Sequence, residues 1–173
     1  MKRLILLLAL ASITPLVQAD EIFDAILLPG NEVPPHSDDA IGAILVDLHS
    51  DLLTLDVQEI FFGLAAPASA AHIHCCAPEG VNAPVALPFT GFPTATSGMY
   101  MRTFNLATDL MGGITPAAFI AGLESGNTYA NIHDSKYPGG DIRGQLTRVP
   151  EPGILSMFGG LLTFVVFFRR RLA

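Results

Sequence analysis

An all-β fold, a sandwich or barrel of about seven short strands, is what this sequence predicts. Three observations carry that expectation. Short apolar, β-like runs recur along the chain, and the run at 53–58 alternates apolar and polar residues at a period of two. Clusters of Gly, Pro, Asn and Asp stand between those runs and read as turns. Only one stretch, TPAAFIAGLESG (115–126), has a helical character.

Each element follows from its own residues. EIFDAILLPG (21–30) is a short β-like run closed by Pro29 and Gly30. GAILVDLHSDLLTLDVQEIFFG (42–63) reads as two strands around a turn at His49, Ser50 and Asp51. In its second half Leu53, Leu55 and Val57 fall on one face, with Thr54, Asp56 and Gln58 on the other. SAAHIH (69–74) is a small-residue strand, and GMYMRTFNL (98–106) is another. The longest loop-like stretch inside the domain, 75–84, follows the first of these. The helix has Thr115 as its cap, Pro116 in its first turn and Gly126 just beyond its end. NTYANIHD (127–134) and GDIRGQLTRV (140–149) form a last pair of strands, joined through Lys136, Tyr137, Pro138, Gly139 and Gly140.

The two ends of the chain are of a different kind. Lys2 and Arg3 precede an apolar run from Leu4 to Val17, and Val17-Gln18-Ala19 precedes the acidic Asp20. A basic start, an apolar stretch and small residues at a cleavage point describe a secretory signal peptide over residues 1–19, and therefore an exported protein. At the other end, VPEPGILSMFGGLLTFVVFFRRRLA (149–173), residues 153–168 are uncharged and Arg169, Arg170 and Arg171 follow at once. At about 1.5 Å per residue, such a helix spans roughly 24 Å, which snorkelling arginines extend toward a hydrocarbon core of about 30 Å.

The order Pro150-Glu151-Pro152, apolar helix, arginine cluster resembles the PEP-CTERM sorting signal of Gram-negative bacteria. That resemblance implies secretion machinery and an exosortase as partners. It also implies a transient inner-membrane anchor at 153–168 and delivery to the periplasm, cell surface or exterior. One domain is left between the signals, residues 20–148. Between residues 20 and 149, Arg102, Lys136, Arg143 and Arg148 face fifteen acids, a net charge of −11 with histidine neutral. Such a surface excludes a nucleic-acid partner, because phosphate binding rests on basic residues.

The chemistry is concentrated in AAHIHCCAPEG (70–80). Residues two apart on a strand point to one face with Cα atoms about 6.6 Å apart, so His72 and His74 project side by side. Two such imidazoles can share one metal at bonds of about 2.0–2.1 Å. His133, in NIHD, is the third candidate ligand, with Cys75, Cys76 and Asp134 as further candidates and copper or zinc as the ion. Half-buried histidines bonded to loop carbonyls are the structural alternative. Cys75 and Cys76 are the only cysteines. A strained vicinal disulfide, thiolate ligation of a soft metal, an intermolecular bridge and free thiols all stay open for them. Arg143, between glycines, is expected to bridge to a carboxylate and pin the last strand, or else to orient an anionic ligand. His36 and His49 are expected at the surface.

LPGNEVPP (28–35), AHIH (71–74), GVNAPV (80–85) and YANIHDSKYPGGDIRGQL (129–146) occur in that order, and together they resemble the CHRD domain of chordin and of many secreted bacterial proteins. The resemblance implies an antiparallel, Greek-key, immunoglobulin-like β-sandwich. Asp141 stands where that family usually has Glu, and Cys75-Cys76 replace a glycine-containing turn. Two functions compete. One is a non-enzymatic module that binds an envelope polymer or protein, with a metal on its histidines. The other is a copper-dependent redox enzyme resembling Cu/Zn superoxide dismutase, which also holds copper on a His-X-His strand and a distant histidine. No zinc-loop histidine cluster and no fourth copper histidine is evident, and neither Gly-x-Ser-x-Gly nor His-Glu-x-x-His occurs. The binding module is the stronger expectation.

Overall fold

Burial of every second side chain sets the two faces of β1 (Glu21–Leu27). Phe23, Ala25 and Leu27 are buried, while Ile22, Asp24 and Ile26 look outward. The same period runs through β2 (Ile41–Leu48), where Ile44, Val46 and Leu48 are buried. It continues in β3 (Thr54–Phe62), where Leu55, Val57 and Phe61 are. The other strands are β4 (Ala68–Cys75), β5 (Val85–Pro88), β6 (Gly98–Asn105), β7 (Thr128–Asp134), β8 (Ile142–Gln145) and β9 (Thr147–Arg148). Two helices, α1 (Leu106–Asp109) and α2 (Pro116–Glu124), lie between β6 and β7. The structure is a computed structural model that describes residues 19–150. The expected signal peptide, up to Gln18, and the apolar segment 153–168 therefore fall outside the described residues. Among those described, no helix is long and apolar enough to cross a membrane.

The strands form two antiparallel sheets, of order β6-β3-β2-β1-β9 and β5-β4-β7-β8. Their facing sides share one core. Phe23, Val46, Val57, Phe61 and Phe104 come from the first sheet, and Ile73, Leu87, Ile132 and Ile142 from the second. Phe119 and Leu123 of α2 close one end of it. At the β1–β8 seam the sheets are stitched by backbone. Leu28 N–H donates to Arg143 O at 3.0 Å, and Arg143 N–H to Leu28 O at 3.2 Å. This approach requires Gly144, where a Cβ would come within 2.6 Å of the Ile26 carbonyl oxygen.

Most expected elements are found where the pattern placed them, including the Thr115 cap, whose side chain accepts from Ala118 N–H. Leu53 is a correction. It lies before β3 begins and is 44 % exposed. The turn ahead of β3 is built instead on the Asp51 carboxylate, which accepts from the N–H groups of both Leu53 and Thr54 at 2.8 Å. The short β5 and α1 carry too few residues for a period to show, and the sequence reading missed them.

At the end of β4, Cys75 and Cys76 are joined as a vicinal disulfide. The bond packs on α2, where a Cβ on Gly122 would lie 2.5 Å from the Cys75 sulfur and 2.8 Å from that of Cys76. Gly122 is thus the residue that lets the helix approach the pair.

One residue breaks the core's chemistry. Glu59 points inward between Val57 and Phe61 in β3, is 2 % exposed, and neither carboxyl oxygen has a hydrogen-bond partner among the described residues. Burial pushes its carboxyl up from the ordinary 4.5 to about 8. The folded protein therefore holds this proton while the unfolded chain releases it. Stability is fully present below about pH 4.5 and is lost as pH rises to about 8. Denaturant titrations of wild type and Glu59→Gln across this range test the assignment. The downward slope should shrink in the variant, and equal slopes would show that Glu59 is not its source.

Candidate metal centre

Strand register brings the three histidines together. His72 and His74 share the face of β4 turned away from the core, while Ala71, Ile73 and Cys75 point into it. On the neighbouring β7, Tyr129, Asn131 and His133 share that same outer face. His133 pairs with Ala70, which places its ring diagonally beside His72. Ring centroids are 5.0 Å apart for His72–His133, 5.5 Å for His72–His74 and 6.3 Å for His74–His133. One ring nitrogen from each lies within 4.8 Å of the other two.

Hydrogen bonds decide which nitrogens are free. His74 Nδ1 lies 2.8 Å from Ala83 O, and His133 Nδ1 lies 3.0 Å from Pro138 O. A carbonyl only accepts, so each Nδ1 carries the proton and each Nε2 keeps a lone pair. Those two Nε2 atoms and His72 Nδ1 are buried and have no hydrogen-bond partner among the described residues. Burial lowers the basicity of all three rings, that of His72 to about 4, with the neighbouring histidines adding to the effect there. The result is three neutral imidazoles with lone pairs, two of them oriented by backbone carbonyls as metal-ligating histidines usually are. A metal would need the donors to close from this spacing to bonds of about 2.0–2.1 Å.

The loop carrying Ala83 is held by a clamp. Arg143, 2 % exposed, donates from Nη1 to Asn82 Oδ1 at 2.9 Å and from Nη2 to Val81 O at 2.8 Å. Its guanidinium carbon sits 3.4 Å from the Tyr129 ring centroid. The Tyr129 ring stacks on His74, with centroids 4.6 Å apart and planes 5° apart. Its hydroxyl accepts from Ala83 N–H at 3.1 Å and donates to Ala83 O at 3.3 Å. Beside this stack Asn131 donates to Glu32 Oε1 at 3.0 Å, and burial pushes the Glu32 carboxyl up to about 7.

The other candidates do not join the group. Asp134 points to the opposite face and accepts from Ala66 N–H and Tyr137 N–H, both at 2.6 Å. Cys75 faces the core and its sulfur is bonded to that of Cys76, so neither is a thiolate. Arg143 has no carboxylate within ion-pair distance among the described residues, which corrects the expected salt bridge. Neutral acceptors and an aromatic face hold it instead. His36 stacks on Tyr137 at 3.7 Å and His49 bonds Asp56 at 3.0 Å, both outside the cluster and both only partly exposed. Pro150 ends the described chain, and Glu151, Pro152, Arg169, Arg170 and Arg171 lie outside it. Tyr129, Asn131 and Glu32 were missed. The alternation of TYANIH carried the signal for the first two, since they share a face with His133.

Histidine titration by NMR tests the cluster in the metal-free protein. His72 should stay neutral down to about pH 4, far below the ordinary 6.5. Because the folded state resists that proton, stability should be full above pH 6.5 and fall between there and about pH 4. A His72 midpoint near 6.5 would contradict the burial that defines the site.

Comparison with known proteins adds one finding. The model of the CHRD domain matches residues 23–146, well over half of the chain. No curated protein and no solved structure matches it. The matched span runs from β1 to just past β8 and takes in all three histidines, and on that basis the chain belongs to the CHRD domain family.

Proposed function

We propose that this protein is an exported, non-enzymatic module of the Gram-negative envelope or exterior that holds a transition-metal ion, copper or zinc, on His72, His74 and His133. The observation that carries the reading is the convergence of three buried nitrogen lone pairs, two of them aimed by the carbonyls of Ala83 and Pro138. A purely structural histidine cluster would pair those nitrogens with donors. Leaving three unpaired in a buried layer costs free energy that a shared cation offsets. Imidazole donors suit copper and zinc, and the fourth position is left for water or a group from a partner. The same reading takes the two sheets as an immunoglobulin-like Greek-key sandwich. Its support is the chain's repeated passage between sheets, from β3 to β4 and from β5 to β6.

Export rests on the sequence of the two ends. The leader resembles a signal peptide, and Pro150-Glu151-Pro152, the apolar stretch and the arginines resemble an exosortase signal. The module would pass through the secretion machinery, anchor briefly in the inner membrane through 153–168, and then meet an envelope polymer or protein.

Metal titration of the exported protein tests the site. One equivalent of copper or zinc should bind, and His133→Ala should weaken binding by more than the roughly 10–100-fold that loss of an outer-shell partner costs, with the sheets still folded by circular dichroism. Failure to bind either ion at micromolar levels would make the cluster structural. Mass spectrometry tests the processing: the exported protein should start at Asp20 and lack the apolar tail beyond Pro150. An intact 153–173 segment on the mature surface protein would contradict the sorting reading.

A further inference from the structure

We propose that the three-histidine centre is a site for monovalent copper, and that the buried guanidinium of Arg143 is what biases it toward the lower charge. This rests on the metal-binding reading above and names the ion.

The donor set itself is the first reason. All three donors are neutral imidazoles, and among the described residues no thiolate or carboxylate joins them. Asp134 is spent on two backbone N–H groups on the opposite face, and the two sulfurs are bonded to each other. An ion held there keeps its full charge in a half-buried layer. The desolvation cost of an ion grows as the square of its charge, so a divalent ion costs about four times what a monovalent one does. Closed centres built for zinc use four protein donors, usually with thiolates among them, and this one offers three imidazoles. Cuprous copper has a filled d shell and is satisfied by three nitrogen donors.

Arg143 is the second reason. A cation that is 2 % exposed, with no ion-pair partner among the described residues, is uncommon. It lies one aromatic ring from a ligand, because its guanidinium covers Tyr129 and Tyr129 stacks on His74. β4 and β8 flank β7 on its two sides, which holds the order His74, Tyr129, Arg143. A fixed positive charge at that distance repels each added unit of charge on the metal in a medium that screens poorly. The carboxyl that reaches into this layer, Glu32, offsets it only in part. It accepts from Asn131, and burial leaves it partly protonated near neutral pH.

The test is made on the exported protein loaded with one equivalent of copper, using ascorbate to generate the cuprous form. Cu(I) affinity is read by competition with bicinchoninate, Zn(II) affinity by a zinc indicator, and the Cu(II)/Cu(I) potential by EPR-monitored titration. The bound couple should lie above that of aqueous copper, meaning that Cu(I) binds tighter than Cu(II), and Cu(I) should outcompete Zn(II). Arg143→Met should lower the Cu(I)-to-Cu(II) affinity ratio about tenfold, a fall of about 59 mV, whereas Arg143→Lys, which keeps the charge, should retain most of it. A bound potential at or below the aqueous couple, or tighter binding of Zn(II), would overturn the assignment while leaving a metal site in place. An unchanged potential in a folded Arg143→Met protein would overturn the role of the arginine. If that variant does not fold, the wild-type potential alone decides the choice of ion. Absence of any copper or zinc binding would sink this proposal together with the reading it rests on.

Discussion

The contact between the Arg143 guanidinium and the Tyr129 ring is the interaction on which the functional face depends. Around it three parts of the chain meet that have no local reason to do so. The backbone of Arg143 stitches β8 to the end of β1, its side chain holds Val81 and Asn82, and the ring it covers carries His74 on a neighbouring strand. Burying a guanidinium is costly unless its donors are satisfied. Here a carbonyl, an amide oxygen and an aromatic face do that in place of a carboxylate. The loop is tied down as a consequence, and with it the Ala83 carbonyl that sets the His74 tautomer.

The two faces of the four-stranded sheet obey different physics. Its inner face, with Ile73, Ala130, Ile132 and Ile142, packs by apolar burial against the five-stranded sheet. Its outer face is polar, yet Tyr129, Asn131 and Arg143 are buried there as well. Hydrogen bonds and stacking to the covering segments, Glu32 among them and Val81 to Ala83, make that possible. Such a layer contributes little to stability for its size, since satisfied polar contacts mostly replace contacts with water. What it supplies is orientation. Glu59, on the inner face of the other sheet, shows the opposite case, a carboxyl that the fold buries without a partner and must keep protonated.

The CHRD assignment and the site agree in where they place the chemistry. The segments that carry the resemblance at 28–35, 71–74, 80–85 and 129–146 are far apart in the chain, yet each supplies part of one layer. Glu32 comes from the first, His72 and His74 from the second, the Ala83 carbonyl from the third, and Tyr129, His133 and Arg143 from the fourth.

Much was determined by sequence alone, because some of the physics is local. Period-two alternation specified β3, apolar runs between turn residues marked the other strands, and strand geometry put His72 and His74 on one face, since adjacent residues of a strand must point opposite ways. Thr115 and Pro116 specified the start of α2 through capping, which needs no distant partner. The shared face of Tyr129, Asn131 and His133 is legible in the alternation of TYANIH, but their burial is not, because it depends on the distant segments that cover them. Other features depended on contacts between residues far apart in the chain, and only tertiary structure decided them. The register of β4 on β7 brought His133 beside His72 and turned Asp134 away, because a slip of one residue exchanges the two faces. The packing of α2 against Cys75 and Cys76, the stitch between Leu28 and Arg143, and the lack of an ion-pair partner for that arginine among the described residues were settled by the meeting of distant segments. Those outcomes are invisible locally, because each depends on which neighbour remains to satisfy a polar group once water has been excluded.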